Sequence, residues 1–121
     1  MNEIALDELS RRLGELALLD VRTAEEFDGS HGQPCDPRQG HIPGARNLDV
    51  YRLMAMSPDE LRAELDLEPG AEIVAYCHGG SRSAIATQVL RSFGYEARNY
   101  VGSWHEWSRH DGLPVEARAG S

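Results

Sequence analysis

Residues 72–93 read EIVAYCHGGSRSAIATQVLRSF. The apolar run Ile73-Val74-Ala75-Tyr76 has the length of a buried strand and stops at Cys77. A polar loop follows, His78-Gly79-Gly80-Ser81-Arg82. Ile85, Val89 and Phe93 then recur on one helical stripe, with Ala86 and Leu90 beside it, and Gly94 suits a C-terminal cap. A cysteine is thereby placed between a strand and a helix N-terminus. Unpaired N–H groups and partial positive charge at such a terminus stabilise a thiolate. Gly79 and Gly80 let the backbone curl so that several N–H groups meet at one point, an anion-binding nest. Arg82 adds a forked cation. Cys77 therefore reads as a nucleophile facing an anion site. A purely structural cysteine does not explain the glycines, the arginine and the helix start together.

Composition sets the outer bounds. A length of 121 residues suits one domain with a single core, and 1–121 is expected to be one domain with a frayed tail from about 115. Twelve basic against twenty acidic side chains give a formal charge of −8, which argues against nucleic acid or an anionic membrane surface as partner. Attraction for an anionic substrate must then be local, built by the loop. No apolar run approaches the roughly 20 residues of a membrane-spanning helix. The opening MNEIALDELSRRLGE is acidic and amphipathic, unlike a signal peptide. Two cysteines, Cys35 and Cys77, are too few for a disulfide framework, so a cytoplasmic location is expected.

Outward from the central stretch, strands alternate with helices. Ile4, Leu6, Leu9 and Leu13 pattern a short helix ending at Gly14, and residues 17–21 form a strand-length apolar run. Thr23 and Glu26 fit a capping box, as do Ser57 and Glu60 with Pro58 at the first helical position, and Ser103 with Glu106. The second of these helices is expected to run to about Leu67. Residues 28–39, DGSHGQPCDPRQ, form a long loop without apolar periodicity, either a lid over the site or a tolerated insertion. His41, in the rigid segment GHIPGA, is expected to fix its turn by hydrogen bonding. Residues 46–48 and 95–101 read as further strands, and Trp104 and Trp107 as packing for the last helix. This alternation predicts an α/β fold, a central parallel β-sheet flanked by helices in three layers. Its binding crevice lies beyond the C-terminal strand ends, where Asp20 and Arg22 are expected to approach Cys77.

Three chemistries fit the loop. Cys77 can attack an activated sulfur donor, become a persulfide and pass the outer sulfur on, with Arg82 orienting an anionic donor. It can serve phosphatase or arsenate-reductase chemistry. Or the loop can belong to a non-catalytic module. No cofactor or metal is expected: Cys35, Cys77 and five histidines are present, but no pair has zinc-site spacing. Ser81 and Ser83 lack the strained elbow of a serine hydrolase.

Five segments in order resemble the rhodanese sulfurtransferases: LLDVRTAEEF (18–27), GHIPGARN (40–47), YCHGGSRS (76–83), GY (94–95) and YVGSWHEW (100–107). The resemblance implies a rhodanese-like α/β fold. It also implies Cys77 as the persulfide-forming residue, with His78, Gly79, Gly80, Ser81, Arg82 and Ser83 as the cradling loop. Asp20, Arg22 and Glu26 match charged family positions that brace the fold, and capping already accounts for Glu26. Four residues separate Cys77 from Arg82, where cysteine phosphatases usually have five, so the tighter ring favours a persulfide over a phosphoryl group. The insertion and YVGSWHEW resemble the catalytic half of tandem thiosulfate and mercaptopyruvate sulfurtransferases. Arg82 and His78 favour thiosulfate as the small anionic donor. Acceptors implied are cyanide in an assay and a thiol, thioredoxin-like or sulfur-carrier protein in a cell. A persulfide carrier or sensor binding a partner protein is the alternative. Cys35 would reach Cys77 only if the insertion folds over the site.

Overall fold

Along the strand β3 (Glu72–Tyr76), side chains alternate between two buried faces. Ile73 and Ala75, with Cys77 just beyond, enter one apolar cluster with Leu19, Val21, Leu48 and Ala97. Val74 and Tyr76 enter a second cluster with Leu18, Ile42 and the two tryptophans. A strand apolar on both sides belongs in the middle of a covered sheet. β3 lies there: β1 (Ala17–Asp20), β2 (Arg46–Asn47), β3 and β4 (Glu96–Asn99) form one sheet in the order β2-β1-β3-β4, with every pair parallel. The structure, a computed structural model, describes residues 2–117.

Six helices complete the described chain: α1 (Leu6–Arg11), α2 (Ala24–Asp28), α3 (Val50–Met54), α4 (Pro58–Leu65), α5 (Ser81–Ser92) and α6 (Ser103–Trp107). The first cluster takes in Val50 and Leu53 of α3, Leu61 and Leu65 of α4, and Ala86 and Leu90 of α5. The second takes in Leu9 of α1 and Trp104 and Trp107 of α6. The sheet thus separates two helical layers, the expected α/β architecture. Capping boxes form at Thr23–Glu26 and Ser57–Glu60, as their spacing predicts.

Several expectations need correction. Ile85 is 44% exposed, while Ser83, Ala86, Thr87 and Leu90 form the buried face of α5. Ser83 shares this face with the core residues Ala86 and Leu90 because its hydroxyl turns inward to Cys77 Sγ, while Thr87 bonds back to Ser83 O within the helix. α4 stops at Leu65, two residues early, because Asp66 turns left-handed at φ 54°. The strands expected at 46–48 and 95–101 are shorter, and Ile4 adds an extra link to the sheet by donating its N–H to Asn99 O. The tail is not frayed from 115. Glu116 exchanges both backbone hydrogen bonds with His41, at 2.7 and 2.9 Å, and Val115 packs on the second cluster. Gly40 permits this approach: a Cβ there would stand 2.2 Å from Glu116 O. Residues 118–121 of the expected tail lie outside the described residues.

Candidate active site

The chain leaves β1 for β2 on one side and then crosses to β3 on the other. The C-terminal ends of β1 and β3 therefore flank a topological switch point, where parallel α/β sheets open a crevice. Asp20 and Tyr76 are paired there, and Cys77 is the next residue. Its side chain is almost wholly buried, at 1% exposure. Gly80 N donates to Cys77 Sγ at 3.1 Å and Ser83 Oγ donates at 3.3 Å. Burial opposes the anion, yet the Ser83 hydroxyl and the N–H groups of Ser83, Gly80 and Gly79 outweigh it. The thiol pKa is lowered below its ordinary value. Gly80 is the N-cap of α5 at φ +97°, and a Cβ there would lie 2.7 Å from Val101 O. The loop can close on the sulfur only with glycine at that position.

A second layer of contacts fixes the loop from the β4–α6 turn. Cys77 N donates to Ser103 Oγ at 3.1 Å, and Ser103 Oγ donates to Tyr100 O at 2.8 Å. Trp104 N and His105 N donate to the carbonyls of Cys77 and His78, each at 2.9 Å. Asn99 Nδ2 donates to Gly80 O. The capping box expected at Ser103–Glu106 does not form. Ser103 sits in the left-handed region at φ 55°, its hydroxyl is turned to Cys77, and Glu106 instead accepts from Tyr100 OH at 2.7 Å. Sequence reasoning thus missed Ser103 and Asn99 as supports of the loop. The YVGSWHEW segment carried the signal, but capping was the wrong reading of it.

The charged residues are placed differently from expectation. Arg82 does not offer a free guanidinium to an anion: Glu26 accepts from it at 2.9 and 3.2 Å. Glu26 therefore does more than cap α2, since the same Oε1 accepts from Thr23 N. Burial raises the Glu26 pKa, but the bonds from Arg82 and Thr23 prevail and hold it low. Arg82 still lies close enough to favour charge on Cys77. Asp20 and Arg22 form a buried pair at 2.7 Å; Arg22 also donates to Gly40 O, and its guanidinium lies over the Trp104 ring at 5.1 Å. They brace the crevice wall and make no hydrogen bond to Cys77. His41 fixes its turn as expected, with Nδ1 2.7 Å from Phe27 O and its ring stacked on Phe27. Gly79 and Ser81 are exposed.

The 28–39 insertion folds against the site. Arg38 donates to four carbonyls around the end of α6, those of Trp107, Ser108, His110 and Leu113. His78 Nε2 lies 2.9 Å from Asp36 Oδ2, so this histidine, too, is engaged by a carboxylate. Cys35 is an exposed free thiol and Cys77 a buried one. Although no sequence spacing suggested ligands, the ligand atoms of Cys35, Asp36 and His78 lie within 4.8 Å of one another.

The rhodanese-like domain family matches residues 5–110. Over 117 residues the chain is 41% identical to the thiosulfate sulfurtransferase of Corynebacterium glutamicum, covering 85% of this chain and 39% of that protein. It is 37% identical over 120 residues to the sulfur carrier protein TtuD of Thermus thermophilus, covering 84% of this chain and 41% of that one. A crystal structure of a probable thiosulfate sulfurtransferase superposes with a TM-score of 0.83 at 47% identity, over 95% of this chain and 47% of its own. The chain thus spans less than half the length of these relatives. With its fold and most of its length matched, the chain belongs to the rhodanese-like domain family.

Proposed function

We propose that this domain transfers sulfane sulfur through a persulfide on Cys77. One observation carries the reading: a cysteine with a lowered pKa receives hydrogen bonds from Gly80 N and Ser83 Oγ at the start of α5. The Cys77 thiolate attacks the outer sulfur of thiosulfate, the S–S bond breaks, and sulfite leaves with the electron pair. Cyanide or an acceptor thiolate then takes the outer sulfur and restores the thiolate, a ping-pong cycle. Donor groups around Sγ suit an anionic persulfide as well as a thiolate. Relatives named thiosulfate sulfurtransferase support thiosulfate as the donor. With Arg82 and His78 engaged by carboxylates, the loop N–H groups are the main local attraction for that donor. A thiol or sulfur-carrier protein as acceptor, and a reducing compartment such as the cytoplasm, fit a free reactive thiol. Among the described residues no helix is long and apolar enough to cross a membrane.

The relative named as a sulfur carrier favours a second reading, a domain that loads once and hands its sulfur to a partner. Intact-protein mass spectrometry after thiosulfate, then after cyanide, tests both. Gain of one sulfur atom, reversed by cyanide and absent in Cys77→Ser, is expected. Loading that persists in Cys77→Ser sinks the proposal. Repeated thiocyanate release marks the enzyme, and a single equivalent marks the carrier. Hydrolysis of an aryl phosphate without sulfur loading would return the chain to phosphatase chemistry.

A further inference from the structure

We propose that Cys35, Asp36 and His78 form a site for a borderline-soft divalent cation of the zinc class. The thiol sulfur, a carboxylate oxygen and a ring nitrogen lie within 4.8 Å of one another. Tetrahedral coordination at zinc bond lengths sets neighbouring ligand atoms about 3.5 Å apart. His78 Nε2 lies 2.9 and 3.2 Å from the two Asp36 oxygens and would open slightly on binding, while Sγ of the exposed Cys35, 4.0 Å from Asp36 Oδ1, would draw in. Sulfur, nitrogen and oxygen together select zinc over calcium or magnesium, which prefer oxygen alone.

Asp36 supplies an independent indication. Its side chain is fully buried, yet Oδ2 takes no hydrogen bond. That oxygen lies 2.9 Å from His78 Nε2, outside hydrogen-bonding alignment, while Oδ1 takes the bonds from His78 and from Arg109. The nearest donor to this oxygen, His78 Nε2, is shared with Oδ1, so the buried Oδ2 keeps acceptor capacity that a cation can fill. Its surroundings are already fixed. Asp36 N donates to Gln33 O, Gln39 Nε2 donates to Asp36 O, and Arg109 also donates to Cys35 O. Arg109 offsets one negative charge, so Asp36 and a Cys35 thiolate leave a net single negative charge for a divalent ion. Binding displaces the Cys35 thiol proton, and any proton on His78, to solvent. Because His78 directly follows Cys77, an occupied site ties the 28–39 insertion to the Cys77 loop. The site itself is independent of the sulfur-transfer reading.

Cobalt(II) titration of reduced, tag-free protein tests it. One equivalent is expected to bind with a sulfur-to-cobalt charge-transfer band and the intense visible bands of a tetrahedral ion. Zinc should bleach both. Cys35→Ser, at an exposed position, should remove the charge-transfer band, whereas Cys77→Ser should retain it. Asp36→Asn should weaken binding at least tenfold. The proposal is overturned if cobalt fails to bind stoichiometrically, if it binds without the sulfur band, or if the band survives Cys35→Ser. It is overturned equally if the band disappears in Cys77→Ser, since the ion would then sit on the buried thiolate. A simple ion-pair network of His78, Asp36 and Arg109 predicts no dependence on Cys35.

Discussion

Ser83 shows how one hydroxyl can govern the chemistry of another residue. It is fully buried, donates to Cys77 Sγ, and heads the causes that lower the thiol pKa against burial. Replacing Ser83 with Ala leaves the N–H donors of the loop in place but removes this one. The apparent pKa of Cys77 should rise, and alkylation by iodoacetamide at mildly acidic pH should slow several-fold. The difference should vanish at alkaline pH, where both proteins are fully thiolate. A pH–rate profile unchanged by Ser83→Ala would show that the amides suffice. The serine was legible in the sequence as part of the loop, but its aim was not, because the rotation of α5 is set by contacts formed only after folding.

At the scale of elements, Glu26 couples the start of α2 to the start of α5. Its carboxylate accepts from Thr23 N and from Arg82 at once. A folded pKa held below the ordinary glutamate value of 4.5 means stability that is fully present above that value. It is lost as pH falls through the lowered folded value. Glu26→Gln removes the ion pair while keeping an acceptor for the cap. Urea unfolding of the two proteins should show the wild type more stable at neutral pH, with the gap closing as pH falls below 4.5. A gap independent of pH would mean that packing, and not charge, is what glutamate contributes. The capping box was readable from Thr23 and Glu26 alone, three positions apart. The partner Arg82 lies 56 positions away and was not readable.

Across the whole molecule, Arg22 joins the layers. It is 1% exposed, pairs with Asp20 at the end of β1, donates to Gly40 O and lies over the rings of Tyr76 and Trp104. Substituting Met keeps much of the volume but leaves Asp20 as a buried carboxylate without its partner. Loss of one member of such a pair costs about 3–5 kcal/mol. Chemical denaturation of Arg22→Met should register a loss of that order. Asp20→Asn combined with Arg22→Met should recover part of it, because the stranded charge is gone. Sulfur loading at Cys77 should persist in the folded fraction, since neither residue hydrogen-bonds the sulfur.

What the sequence determined by itself is local and periodic. An apolar run followed by a polar, glycine-containing turn and a helical stripe was enough to place Cys77 between β3 and α5. Alternation of strands and helices was enough for a covered parallel sheet. Two capping boxes were readable because each is completed within four residues. Only the tertiary structure decided which charges the site presents. Arg82 looks like a free cation and His78 like a free ring donor in the sequence, and folding sets Glu26 and Asp36 against them. The same holds for Ser103, whose left-handed backbone and inward hydroxyl depend on Cys77 standing 26 positions earlier in the chain. Backbone pattern follows from side chains near in sequence. Electrostatic pairing follows from side chains that meet only when the sheet brings separate loops to one edge.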